Sequence, residues 1–243
     1  MAQYEEFAYI YDRLMQQDID YDKWCDYLEN LFSLHSVSPD TLCELACGTG
    51  NITSRMAMRG YKITASDISE DMLSVASEKV DDVELICRDM TRLSLGKKFD
   101  AFICMIDGLN YVITPQGVIN TFKNVFKQLN DDGIFIFDIS SLYKIRNILG
   151  NETYIHSEYD IFYSWQNCFK ERYNISDMLL NFFVRRGNMY ERFEERHIQR
   201  GWSEEQMRCM LKKAGFSDIT VYDELKFNKP SHNSERLVFV CKK

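Results

Sequence analysis

The stretch Glu44-Leu45-Ala46-Cys47-Gly48-Thr49-Gly50-Asn51 follows an apolar run that begins at Thr41, and it leads into a helical pattern. Glycines at 48 and 50 let the backbone adopt positive φ and pass close to a ligand, with the N–H groups of a helix start just beyond. A dinucleotide-binding turn requires Gly-x-Gly-x-x-Gly, and Thr53 stands at the third position, so that fingerprint is incomplete. Asp67, at the tip of the next apolar run in Thr64-Ala65-Ser66-Asp67-Ile68-Ser69, can accept both hydroxyls of a ribose, as an adenosine cofactor requires. The competing reading of Asp67 is a helix cap, yet Ser69 already supplies one. The third run ends in Cys87-Arg88-Asp89-Met90. Taken alone, Asp89 is a solvated acid before a turn. Behind the other two signals it can accept an adenine amino group while Met90 packs on the ring. A fourth run ends Met105-Ile106-Asp107-Gly108-Leu109-Asn110-Tyr111, where Gly108 again permits close backbone approach.

The elements that must hold these residues are legible as pattern. Phe7, Ile10, Tyr11 and Leu14 form one helical stripe, and Trp24, Tyr27, Leu28, Leu31 and Phe32 within Tyr21–His35 form a second. After Pro39, short apolar runs (Thr41–Ala46, Tyr61–Ser66, Val83–Cys87, Phe99–Met105 and Gly133–Asp138) alternate with helical stretches starting near 51, Glu70 and Pro115. This alternation predicts crossover units and a parallel sheet with helices on both faces. Between Asn151 and Arg200 the grammar changes to four strands, Thr153–Glu158, Ile161–Lys170, Met178–Arg186 and Met189–Gln199, with Arg186-Gly187-Asn188 as a hairpin turn. Strands without intervening helices belong to an antiparallel sheet, so this segment is an insertion. A helix over Ser203–Ala214 with Ser203 as N-cap, a Gly215 C-cap and strands at Phe216–Glu224 and Glu235–Cys241 complete the chain.

With these motifs in order, the sequence resembles the class I S-adenosylmethionine-dependent methyltransferases over roughly residues 39–138, plus Ala214-Gly215-Phe216 and the last two strands. Glu44–Gly50, Asp67, Asp89-Met90 and Asp132-Gly133 stand at that family's spacings. The resemblance implies an α/β, Rossmann-like methyltransferase sheet with helices on both faces, and S-adenosylmethionine as cofactor. The implied cofactor-binding set is Glu44, Ala46, Cys47, Gly48, Gly50, Asp67, Ile68, Asp89, Met90 and Met105. The stretch Phe7-Ala8-x-x-Tyr11-Asp12-x-Leu14-Met15 is similar to the cap of the small-molecule branch, where the tyrosine reaches the methionine carboxylate; the alternative for Tyr11 is a core tyrosine. His197-Ile-Gln-Arg-Gly-Trp-Ser-Glu-Glu is similar to deoxyamino-sugar N-methyltransferases and glycine N-methyltransferase relatives. The expected organisation is a helical cap at 1–38, a cofactor-binding core at 39–150, an antiparallel substrate lid at 151–200 and completion of the core at 201–243.

Composition narrows the rest. Against 29 basic residues stand 37 acidic ones, a formal charge of −8, which argues against a general nucleic-acid binder. The insertion itself carries eight acids and seven Lys or Arg, no basic stripe for RNA. Met1-Ala-Gln-Tyr-Glu-Glu is acidic where a signal peptide is basic, and no apolar run approaches the ~20 residues of a membrane span, so a cytoplasmic protein without membrane contact is expected. The eight cysteines are scattered; Cys43 and Cys47 lack a second close pair, so no metal is expected and the thiols read as buried and reduced.

A sulfonium methyl is already activated, so such an enzyme mainly aligns a nucleophile and excludes water. Asp107-Gly-Leu-Asn lacks the paired prolines of enzymes that methylate base amines or glutamine amides. The aromatics of the insertion can line a pocket or simply fill the sheet. His197 and Tyr11 are the catalytic candidates, His197 as a general base with a pKa near neutral or as a structural residue. Arg200 reads as a surface ion pair and Trp202 as a hinge-packing residue. The expected function is methyl transfer to a small-molecule acceptor, favouring an amine nitrogen, with the assembly open to a homodimer. The alternatives are a tRNA or rRNA methyltransferase and a non-catalytic cofactor-binding module.

Overall fold

A computed structural model describes residues 3–158 and 160–243, so Met1 and Ala2 of the acidic start lie outside the described residues. Two helices, α1 (Gln3–Asp18) and α2 (Tyr21–Leu34), precede the first strand. Then β1 (Thr41–Leu45), α3 (Asn51–Met58), β2 (Lys62–Asp67), α4 (Glu70–Ser77), β3 (Glu84–Cys87), β4 (Phe99–Cys104), α5 (Pro115–Gln128) and β5 (Leu129–Ser140) alternate as expected. The insertion supplies β6 (Thr153–Glu158), β7 (Ile161–Lys170), β8 (Ile175–Arg186) and β9 (Met189–Arg200). The chain closes with α6 (Glu204–Ala214), β10 (Asp218–Asp223) and β11 (Arg236–Lys242).

The strands form a seven-stranded sheet in the order β10-β11-β5-β4-β1-β2-β3 and a separate four-stranded sheet, β6-β7-β8-β9. In the larger sheet β1 to β5 run parallel, whereas β11 is antiparallel to both β5 and β10. After β3 the chain crosses back over β1 to lay down β4 on its other side. The carboxyl ends of β1 and β4 therefore diverge into loops that leave in opposite directions, and that crevice is where open α/β sheets bind ligands.

Burial follows from the apolar runs. On one face of the sheet Trp24, Leu28, Leu31 and Phe32 of α2 and Ile52 and Met56 of α3 cover Leu42, Ile103 and Ile136. On the other, Phe122 and Val125 of α5 and Met207 and Leu211 of α6 cover Phe102, Phe135, Phe137 and Phe239. Helix α1 instead joins the insertion: Phe7 and Ile10 are buried against Ile161, Phe182, Val184 and Phe193. Local signals set the helix ends. Ser203 accepts from the Gln206 N–H in a full capping box, Ser69 caps α4, Thr114 caps α5 with Pro115 at its first turn, and Gly215 ends α6 at φ 120°.

The differences from the sequence reading have physical causes. β5 begins at Leu129, four residues before the expected start at Gly133, because Leu129 pairs with Phe99 before the register shifts at the Asn-Asp-Asp bend. β8 begins at Ile175 rather than Met178, since the polar Ser176 and Asp177 pair across to Gln199 and Ile198. The last two strands begin two and one residues late, at Asp218 and Arg236. A π-helical turn at Lys144–Leu149 had no periodic signal. Of the cysteines read as buried, Cys25, Cys43, Cys47, Cys104 and Cys241 are so, while Cys87, Cys168 and Cys209 are exposed, Cys87 at the end of an edge strand. Among the described residues, no helix is long and apolar enough to cross a membrane.

Phe239 stacks on Phe137 with centroids 4.8 Å apart and planes 2° apart, and both rings are fully buried. Because this pair joins antiparallel β11 to the parallel strands, Phe239→Ala is expected to cost ~3–5 kcal/mol in a urea unfolding experiment, with the m-value unchanged.

Candidate active site

The turn after β1 is bent by residues at positive φ: Ala46 at 50°, Gly48 at 53° and Gly50 at 74°. A Cβ on Gly50 would stand 2.9 Å from the Ala76 Cβ, so the turn can press on α4 only with glycine there. Nothing lies within 4 Å of a Cβ built on Gly48, which leaves open space on that side of the turn. The turn after β4 is bent the same way, with Ile106 at φ 58° and Asp107 at 53°. The two turns touch: a Cβ on Gly108 would fall 2.7 Å from the Ala46 Cβ. Strained non-glycine backbone at the mouths of both central strands is the kind that surrounding structure must enforce.

For the second turn the enforcing group is Asp138. Its carboxylate accepts the Ile106 N–H at 2.5 Å and the Asp107 N–H at 3.0 Å, and it is wholly buried. Arg236, 8% exposed, bonds to Asp138 and bridges to Asp107 at 2.8 Å. Burial pushes the Asp138 carboxyl up against the pull of Arg236. Burial acts likewise on Asp107, but Arg236 and the Gln199 amide, 3.0 Å away, prevail and hold it below the usual carboxylate range. Asp107 thus stays ionised, tied to the core by Arg236 and to the insertion by Gln199.

The residues expected to bind cofactor gather at this crevice. Glu44, 3% exposed, accepts the Thr53 hydroxyl at 2.5 Å and has no cation beside it among the described residues; burial pushes it up to about 8. Asp67 accepts the Gly48 N–H at 2.8 Å and the Ser69 N–H at 2.9 Å, so it both braces the glycine turn and helps to start α4. Asp89 accepts the Thr91 N–H at 2.8 Å, capping a short 3-10 turn, with Met90 half-buried beside it. Ile68 is 71% exposed on the rim. Ala46 and Cys47 lie within the turn itself, and Met105 is buried in the core below β4's end.

Three aromatic groups close the other side. Tyr11 of α1 is half-buried, and burial pushes its hydroxyl up, with Tyr111, Asp107 and Asp67 among the neighbours that add to this. The Tyr111 hydroxyl meets His197 Nδ1 at 3.2 Å, and the His197 ring packs 5.8 Å from Phe7. Burial holds the His197 imidazole below its ordinary pKa, hence neutral at pH 7. Arg200, expected in a surface ion pair, instead donates to the Ile113 carbonyl and lies 4.2 Å over the ring of Trp202, because β9 turns it inward. Trp202, 1% exposed, packs where the insertion rejoins the core, its backbone bridged to Ser141.

Sequence reasoning missed Asp138 and Arg236, although an acid ending the apolar run Ile134–Asp138 was a signal. It also missed any role for Asp12 beyond its place in the cap motif.

Residues 42–133 match the family model for a methyltransferase domain. The putative methyltransferase YqeM of Bacillus subtilis is 38% identical over 246 residues, covering 99% of this chain and 97% of its own. The protein is a class I S-adenosylmethionine-dependent methyltransferase. The crystal structure of an S-adenosylmethionine-dependent methyltransferase from Clostridium acetobutylicum superposes on this methyltransferase with a TM-score of 0.89 at 34% identity, covering 98% of both chains. A deoxyamino-sugar N,N-dimethyltransferase of Streptomyces fradiae is 27% identical over 134 residues, about half of each chain.

The residues present fit the cofactor. Nothing crowds the Gly48 side of the turn, so a ligand can approach its backbone there. Asp67 and Asp89, at successive strand tips, would take its ribose and adenine, and Glu44 is a buried carboxyl without a counter-charge among the described residues. The cofactor supplies an electrophilic methyl group on sulfur.

The raised pKa of Glu44 has a measurable sign. In an unfolded chain the group titrates near ~4.3, so the folded state binds the extra proton and loses stability as pH rises from there to about 8. Glu44→Gln keeps the acceptor for Thr53 without the charge. The unliganded variant is expected to melt above the parent at pH 8, with the gap closing toward pH 4.5, while binding S-adenosylmethionine more weakly. Asp67→Ala is expected to weaken cofactor binding by ~1–3 kcal/mol in calorimetry.

Proposed function

We propose that this methyltransferase transfers its methyl group to the nitrogen of a small-molecule amine, in the cell's cytoplasm. One observation carries the reading: the carboxylate of Asp107, fixed 2.8 Å from Arg236 and 3.0 Å from the Gln199 amide, lies at the carboxyl end of β4 close enough to the phenols of Tyr11 and Tyr111 to act on both. A carboxylate among aromatic faces is the chemistry that attracts an ammonium group. Because Asp107 is held by Arg236 and Gln199, it presents its charge without drifting toward the adjacent phenols.

An amine attacks only as the free base, so the ammonium that Asp107 attracts has to lose a proton before its nitrogen takes the methyl from sulfur and the thioether leaves. Neutral His197, beside Tyr111, has an imidazole able to take that proton and pass it to solvent. Tyr11 and Tyr111 align the nitrogen. The insertion, through Gln199 and His197, forms the wall against which the acceptor is specified. The Streptomyces fradiae relative, which dimethylates an amino sugar nucleotide, supports the same choice of atom.

The test is methyl transfer from labelled S-adenosylmethionine to panels of small amines, including amino-sugar nucleotides, alcohols of matching shape, and total RNA. Label is expected in the amines; label in RNA, or none on any acceptor while the cofactor binds, overturns the reading. With the amine found, Asp107→Asn is expected to lower kcat/KM by ~10–100-fold, with S-adenosylhomocysteine affinity changed less than about threefold.

A further inference from the structure

Helix α1 reaches the cofactor turn through one carboxylate. Asp12, 9% exposed, accepts at Oδ1 from Thr49 Oγ1 (2.7 Å), Asn51 Nδ2 (2.7 Å) and Lys79 Nζ (2.5 Å), and at Oδ2 from Gln16 Nε2 (2.8 Å). Lys79 also donates to Asn51 Oδ1 at 3.0 Å, and Asn51 to Thr49 Oγ1 at 3.1 Å, so the cluster closes on itself. Its members come from α1, from the glycine turn, from the first residue of α3 and from just beyond α4.

This cluster does something packing does not. The buried apolar residues Phe7 and Ile10 attach α1 to the insertion. Asp12 is the buried polar attachment of the same helix to the turn that carries the cofactor. Burial works against its charge, yet the bonds from Lys79, Thr49 and Asn51 hold Asp12 ionised, below the usual carboxylate range. A buried ion pair is poor evidence for stability in itself, and its better-attested use is to fix a register. What is fixed here is the placement of the preceding residue, Tyr11, whose phenol lies near Asp67 and Asp107. The following residue, Arg13, pairs with Asp160 at the insertion's first turn at 2.5 Å, but both side chains are more than 40% exposed, so that link is weak.

We propose that Asp12 is a positioning residue: it clamps α1 across the glycine turn and so keeps Tyr11 over bound S-adenosylmethionine, setting how fast the cofactor leaves. Because Asp12 ties α1 to the glycine turn, the clamp must open for exchange, and its loss speeds release without slowing capture.

The experiment uses the full chain and S-adenosylhomocysteine, followed by stopped-flow dissociation, with hydrogen exchange of the bound protein in parallel. Asp12→Asn and Lys79→Met are each expected to raise the dissociation rate about tenfold or more, without slowing association. Exchange should quicken in α1 amides and stay unchanged in β5 and β11. Since Asp12 acts through Tyr11, adding Asp12→Asn to Tyr11→Ala should change release by less than twofold beyond Tyr11→Ala alone. Should Asp12→Asn fail to fold, Lys79→Met and Thr49→Val carry the same comparison. Release within twofold of the parent in folded variants overturns the proposal. So does full additivity with Tyr11→Ala, or exchange that quickens equally in the core strands. Arg13→Ala serves as the contrast and should leave release within twofold; an effect as large as that of Asp12→Asn also overturns the assignment. The readout is cofactor release, so it stands or falls independently of which acceptor is methylated.

Discussion

Two sharply bent turns meet at the centre of this sheet, and neither is a conformation that its residues choose. Ala46, Ile106 and Asp107 all sit at positive φ without being glycine. Such backbone costs on the order of 1–3 kcal/mol per residue and persists only where the surroundings dictate it. On the β4 side the dictating group is Asp138, whose two oxygens take the N–H groups of Ile106 and Asp107. A lone carboxylate could not remain in so dry a place. Arg236, entering on the antiparallel last strand, supplies the charge that keeps it there and shares that charge with Asp107. The methyltransferase site therefore depends on a strand that arrives about a hundred residues later in the chain.

This dependence links the fold to the chemistry. The parallel strands create the crevice, the glycines allow the β1 turn to approach both a ligand and α4, and Gly108 allows the β4 turn to lie against Ala46. Residues that differ in chemical role then face one another: acids at the tips of β1, β2 and β3, and an ionised acid with phenols and an imidazole at the tip of β4. The insertion contributes to the second group through Gln199 and His197 and fastens α1 through its apolar face. The insertion, α1 and the core are thus separate in sequence yet packed against one another beside the ends of β1 and β4.

Much of this was legible from residue order. The glycine turn, Asp67 and Asp89 could be recognised because each is a short signal at the end of an apolar run. The four strands of the insertion could be read from their aromatics and the turn at Gly187. The early start of β5 could not, since Leu129 and three polar residues after it carry no strand alternation; they join the sheet because Phe99 offers a partner. Arg200 looked like a surface cation and became a half-buried stacking partner of Trp202, because the face of a strand that points inward depends on what is packed behind it. Asp12 sits one helical turn after the fully buried Ala8, a spacing that marks the inner face of α1, but its partner Lys79 is 67 residues away.

By itself, the sequence determined the glycine-bent turn, the helix caps, the order of strands and helices, and the family to which they belong. These are decided by backbone conformations and hydrogen bonds that close within a few residues. The tertiary structure alone decided the pairings of Asp12 with Lys79 and of Arg236 with Asp107 and Asp138, and the meeting of Tyr11, Tyr111 and His197. Charges and rings so distant along the chain acquire partners only when packing removes them from water, and nothing local distinguishes them beforehand from ordinary solvated side chains.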